Sequence, residues 1–116
     1  MSQTLPLIAL GGAIGSVLRY LFIAALGAPW GTAGVNVLGS LTIGVLFVLL
    51  DARVGWQLLL MTGVMGGFTT FSAFSLDTLK LMQQGQPVQA AAYVLASVAL
   101  SLIAVALGVA IARSLT

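Results

Sequence analysis

Long apolar runs, separated at short intervals by charged and turn-forming residues, define the pattern of this chain. The charged side chains are Arg19, Asp51, Arg53, Asp77, Lys80 and Arg113, and they leave charge-free windows at 1–18, 20–50, 54–76 and 81–112. A bilayer is crossed by roughly 20 apolar residues, so each window has room for one spanning helix. Turn signals fall between the windows, at Gly27, Ala28, Pro29, Trp30 and Gly31, at residues 51–55, and at residues 83–87. Pro87 suits the first turn of the last helix, where its missing N–H costs nothing. The pattern predicts helices over 5–26, 32–50, 57–82 and 88–112, in a single four-helix transmembrane domain covering 1–116 with no separate soluble part.

One segment breaks the uniformity. Residues 63–75, GVMGGFTTFSAFS, place adjacent glycines, hydroxyl residues and phenylalanines inside a charge-free apolar run. Irregular backbone at bilayer depth persists only where protein, ions or a water-filled cavity satisfy its polar groups. The third helix is therefore expected to be broken after Gly66 and Gly67, and the function is expected to sit there. Along the resumed helix Phe68, Phe71 and Phe74 would share one face, with Thr69, Ser72 and Ser75 on the next. Phenyl rings have electropositive edges that can contact an anion without a formal charge. Phenylalanine at this spacing is also what plain packing produces.

Composition narrows the chemistry. With 60% hydrophobic residues, 5% charged residues and a mean hydropathy of +1.19, the chain falls outside the range of soluble domains. Nothing in it suggests nucleic-acid binding. There is no cysteine and no histidine, and both carboxylates lie outside the apolar cores of the helices. These absences remove the usual sets for intramembrane hydrolysis, metal catalysis and proton relay, and argue against an enzyme. The first helix is not a signal peptide by pattern: a basic leader is missing, and Arg19 and Tyr20 stand where an apolar segment would give way to a cleavage site.

Charge placement bears on orientation. Four crossings put Arg53 and Arg113 on one side, and leave Arg19 and Lys80 near the other. Balanced cations give the positive-inside rule nothing to act on, so the chain is permitted to insert both ways and to pair with its own inverted copy. The alternative is that the N-terminus or an insertion partner fixes one orientation. Trp30 and Trp56, beside loops, mark the two interfaces.

Small and polar residues within the runs are more selective. Gly11 and Gly15 form a GxxxG pair, with Gly12 and Ser16 at the same spacing, which suits close helix packing. Asn36, Ser40 and Gly44 recur every four residues on the second helix, and Tyr93, Ser97 and Ser101 do so on the fourth. The latter stripe is about 12 Å long at 1.5 Å rise per residue. Either serine could instead bond its own i−4 carbonyl. The Asn36 amide is not satisfied so simply: it bridges helices or offers its NH₂ to something in a cavity. Together the stripes suit an anion held weakly enough to leave.

Three motifs now acquire a common meaning. GG-x-x-G-x-x-x-RY at 11–20, GT-x-x-VN-x-x-GS at 31–40 and G-x-x-GGFTTFS-x-F at 63–74 resemble the CrcB, or Fluc, family of fluoride channels. The resemblance extends over nearly the whole chain and implies an all-α integral membrane protein of four transmembrane helices, broken in the third. It further implies an antiparallel, dual-topology homodimer in the bacterial inner membrane, with fluoride pathways along the dimer interface and a structural sodium ion, Na+, at its centre. By motif position Phe71 and Phe74 become pore phenylalanines and Asn36 the pore amide, while Gly66 and Thr69 supply carbonyls for sodium. Tyr93, Ser97 and Ser101 fall on the polar track, and Thr70 and Ser72 are assigned to the ion pathway with them. Many relatives extend the track with a threonine where this chain has Val105. Arg19 falls beside the vestibule, close enough to its helix end to snorkel or to bond loop carbonyls. Asp77 stands near a pore mouth, or simply pairs with Lys80 at i, i+3.

The function implied is passive, fluoride-selective conduction that exports cytoplasmic fluoride and protects against its toxicity. A small multidrug transporter shares the size and layout, but would need a membrane-embedded carboxylate to couple protons, and the first helix has none. A non-conducting assembly protein would leave GGFTTFS unexplained.

Overall fold

The computed structural model describes residues 2–116 and is all-helical over them, with four helices long and apolar enough to cross a membrane. The first is Thr4–Leu26 and the second Trp30–Leu49; the third crossing runs through Val54–Gln83, and the fourth helix is Pro87–Leu115. The loops are short. Gly27 and Gly85 turn the chain with φ of 81° and 74°, values that favour glycine. Principal extents of 48 × 32 × 22 Å make the protomer a slab about two helix diameters thick.

Two helix pairs build the slab, and glycine brings each pair together. The second and fourth helices pack most extensively. A side chain at Gly44 would strike the backbone of Val105 and Val109, and one at Gly108 would strike Leu41 and Val45. The first helix lies on the first half of the third crossing, with Gly11 and Gly15 facing the backbone of Leu59, Gly63, Val64 and Phe68. Lipid provides no hydrophobic drive for such contacts, so they depend on close backbone approach and the dispersion it allows. Trp30 and Tyr93 meet edge to face at 5.5 Å, which puts the first loop and the start of the fourth helix at one end, as alternating crossings require.

The third crossing is interrupted within residues 63–75, at the two threonines that follow the glycines rather than at the glycines themselves. Val54–Trp56 is α-helical, Gln57–Met65 is wound in the wider π form, and Gly66–Phe68 returns to α. Gly66 keeps helical angles of φ −61° and ψ −38°. The chain leaves the helix at Thr69 (φ −88°, ψ 155°) and Thr70 (φ −151°, ψ 119°), then resumes as Phe71–Gln83. Extended conformation is easy for β-branched threonine, and Thr70 Oγ1 then accepts from Ala73 N–H at 3.1 Å to cap the resumed helix. Gly67 has a packing task instead: a Cβ there would come within 2.5 Å of Gly12 O and 3.0 Å of Ser16 N.

The displaced break also overturns the single phenylalanine face. Phe68 ends the first half and turns into the protomer, edge-on to Phe22 at 6.0 Å. Phe71 and Phe74 belong to the second half and pair with each other at 5.5 Å.

Candidate functional site

Around the break lies a cavity of about 420 Å³, open on one side. The second helix contributes Asn36, Gly39 and Ser40 to its wall, the first half of the third crossing Thr62 and Gly66, and the break itself Thr69 and Thr70. Phe71, Phe74, Ser97 and Ser101 complete the wall with apolar neighbours that include Met61, Met65 and Leu102. No formally charged side chain lines it among the described residues. A site of this kind can offer hydroxyls, one amide, ring edges and backbone groups, but no ion pair.

The two fourth-helix serines on the cavity wall, Ser97 and Ser101, make no side-chain hydrogen bond among the described residues. Ser97 is 5% exposed, and its Oγ is buried without a hydrogen-bond partner. Back-bonding to the i−4 carbonyl, the ordinary solution, is taken by Thr42, Ser75 and Thr78 elsewhere in the molecule. A buried hydroxyl left unpaired costs on the order of 1–3 kcal/mol, so this one calls for a ligand or water. Tyr93, the first member of the stripe, lies outside the cavity wall. It is fully buried beneath Phe74, with ring centroids 5.3 Å apart, and its hydroxyl donates to Asp77 Oδ2 at 3.3 Å.

Of the two readings of Asp77, the i, i+3 pair with Lys80 is not the one the structure shows. Its carboxylate turns inward, 8% exposed, to Tyr93 on the fourth helix. Arg19 likewise bonds neither loop carbonyls nor the interface. Its Nη1 donates to Gly67 O at 2.9 Å, which places the cation at the break near the middle of the third crossing. A guanidinium is held at that depth because a released helix carbonyl gives it a partner.

Asn36 bridges the second helix and the break. Its Oδ1 accepts from Thr70 N–H at 2.7 Å, and its Nδ2 donates to Thr70 O at 2.9 Å. The oxygen is occupied and one N–H is used, so one N–H remains for the cavity. Ser72 stands off the wall, exposed, with its Oγ 3.3 Å from Thr70 Oγ1.

The two rings differ sharply in setting. Phe74 is 7% exposed between Phe71 and Tyr93, whereas Phe71 is 77% exposed at the open side of the cavity. Gly66 faces the same opening, and a Cβ there would meet nothing closer than Met61 O at 3.9 Å. Close packing at Gly66 is thus not a feature of the protomer. Motif reading missed Thr62, whose position four residues before Gly66 would have put it on the same helix face.

Comparison with known proteins adds an independent line. Residues 6–109 match the family described as CrcB-like protein, Camphor Resistance (CrcB). A protein of Rhizobium johnstonii called fluoride-specific ion channel FluC is 50% identical, over 94% of this chain and 95% of its own. Proteins of the same name from Paracoccus denitrificans and Agrobacterium fabrum are 48% and 47% identical, covering 99% and 96% of this chain and 98% and 97% of theirs. The similarity runs through all four helices and the interrupted third crossing alike, and this multi-pass membrane protein belongs to the CrcB family.

Proposed function

We propose that this protein is a passive fluoride-selective channel through which fluoride accumulated in the cytoplasm leaves the cell. The observation that carries the reading is a charge-free cavity at a broken helix, walled by Asn36, Thr69, Thr70, Ser97 and Ser101, with the Ser97 hydroxyl itself buried and unpartnered. The names borne by relatives about half identical to it point to the same ion. Fluoride is small and strongly hydrated, so its water must be replaced by closely spaced donors and positive ring edges. Neutral groups hold an anion weakly enough for it to move on. Hydrogen fluoride crosses membranes uncharged and ionises inside, so a passive anion path driven by membrane potential suffices for export. No proton-coupling carboxylate is required, and Asp77 is outside the cavity wall.

The working unit is an antiparallel homodimer, inserted in both orientations in the bacterial inner membrane. The open side of the cavity, with Phe71, Gly66 and Thr62 exposed on it, supports a second copy as its cover. The break frees the carbonyls of Gly66 and Thr69, both residues line the cavity, and carbonyl oxygen is the donor a hard cation prefers. They fit a structural sodium ion, which would offset their dipoles where two copies meet. Purified protein in potassium fluoride-loaded liposomes should release fluoride once a potassium ionophore is added, and should release chloride far more slowly. Comparable rates for the two anions would remove the selectivity claim.

A further inference from the structure

The break has a cause that its glycines do not supply. In an unbroken helix Thr70 N–H would donate to Gly66 O, and Ala73 N–H to Thr69 O. Here Thr70 N–H is taken by Asn36 Oδ1 at 2.7 Å, and Ala73 N–H by Thr70 Oγ1 at 3.1 Å. The carbonyl of Thr70 is held as well, by Asn36 Nδ2 at 2.9 Å. An asparagine amide carries one acceptor and a donor in the geometry of a peptide unit, so it pairs with Thr70 as a neighbouring strand would. Of the carbonyls that the interruption releases, that of Gly67 is filled by Arg19 at 2.9 Å. Those of Gly66, Phe68 and Thr69 have lost their helix donors and have no replacement among the described residues.

We propose that Asn36 is a positioning residue: its paired bonds hold the Thr70 peptide out of the helix and thereby keep the Gly66 and Thr69 carbonyls available to a cation. The cation part rests on the function proposed above. The geometric part does not. Asn36 has spent its oxygen and one N–H on the backbone, so donation to an anion is at most a duty of its remaining N–H. Packing reinforces the arrangement, because Gly39, one turn along the same helix, leaves room for the Thr69 methyl.

The test compares wild type with Asn36→Ala and Asn36→Asp, using diffraction structures and unfolding midpoints in sodium chloride against N-methylglucamine chloride. With alanine, Thr70 N–H returns to Gly66 O and the third crossing becomes continuous. Two residues passing from about 3.3 Å to 1.5 Å rise shorten it by roughly 4 Å. The rise in midpoint given by sodium is then lost. Aspartate keeps the acceptor for Thr70 N–H, the bond that competes with the helix, but loses the donor to Thr70 O, so the break and the sodium effect persist at a lower unfolding midpoint, while fluoride efflux falls at least tenfold because a carboxylate now faces the anion. An Asn36→Ala protein that keeps Thr69 and Thr70 extended, with the wild-type sodium effect, overturns the proposal. Should that variant fail to fold, the aspartate variant decides: a continuous helix or a lost sodium effect in it is equally fatal. Wild-type unfolding that ignores sodium would refute the cation reading, and the third crossing of Asn36→Ala would still decide whether Asn36 holds the break.

Discussion

Replacing Phe71 and Phe74 by isoleucine separates ring chemistry from packing, because the structure gives the two rings unequal structural weight. Phe74 is 7% exposed and touches two aromatic partners, Phe71 at 5.5 Å and Tyr93 at 5.3 Å. Such pairs contribute about 0.5–1.5 kcal/mol each beyond area burial, so Phe74→Ile should destabilise the protomer by roughly 1–3 kcal/mol. Phe71 has one such partner and is 77% exposed, so Phe71→Ile should cost at most about 1.5 kcal/mol. If the rings serve only as packing, loss of flux should follow that order, with Phe71→Ile nearly wild type. If both present their edges to fluoride, isoleucine keeps apolar bulk, removes the quadrupole and stops flux at both sites. Fluoride efflux from liposomes, measured beside denaturant titration of the same preparations, gives both quantities. Phe71→Met should retain more flux than Phe71→Ile, since a polarisable thioether is a soft contact. Wild-type flux in Phe71→Ile would refute the edge-contact argument.

Gly67→Ala should destabilise the fold by about 1–3 kcal/mol, because its Cβ would strike Gly12 O at 2.5 Å and backbone cannot step aside. Gly66→Ala, with nothing closer than 3.9 Å, should leave a dilute monomer in detergent as stable as wild type, and equal losses in denaturant titration would refute the contrast. Tyr93→Phe removes a side-chain donor from the buried Asp77 carboxylate; at 3.3 Å the bond is long, so a loss of about 1 kcal/mol is expected. A double-mutant cycle with Asp77→Asn should return most of that loss as coupling, and additivity would show the pair to be incidental. Single cysteines placed at residues 83–86 should label from both sides of the membrane in cells, and a single population would end the dual-insertion reading.

Much of this fold is legible in the sequence because bilayer crossing is a one-dimensional problem. Apolar length and the placement of charge fixed the crossings to within a few residues, and glycine at four-residue spacing marked the faces in closest contact. The position of the break was not readable in that way. Glycine has the weakest helix propensity in the segment, yet Gly66 and Gly67 are both helical; Gly67 is wedged against the backbone of Gly12 and Ser16, while Gly66 simply continues the turn before it. The chain leaves the helix where Asn36, distant in sequence, competes for the Thr70 peptide. Local propensity is blind to that competition. For the same reason Phe68 was assigned to the wrong face: helical phase carries across a segment only while the helix is intact.

On the function proposed above, the polar groups of the cavity would let a chain with so few charges organise an ion path. Arg19 and Asp77 are both turned away from the cavity wall, one toward a broken-helix carbonyl and the other toward a tyrosine. Neither can act there as a fixed binding charge. The groups left on the wall are neutral, and their availability is created by spending other bonds: Thr70 caps the resumed helix, Asn36 occupies the displaced peptide, and Ser97 forgoes the i−4 carbonyl. An unpaired hydroxyl at 5% exposure is a cost the protomer bears alone. A strong ligand would trap fluoride, whereas on the proposed function a set of incompletely satisfied neutral donors would give it partners at each step and hold it at none.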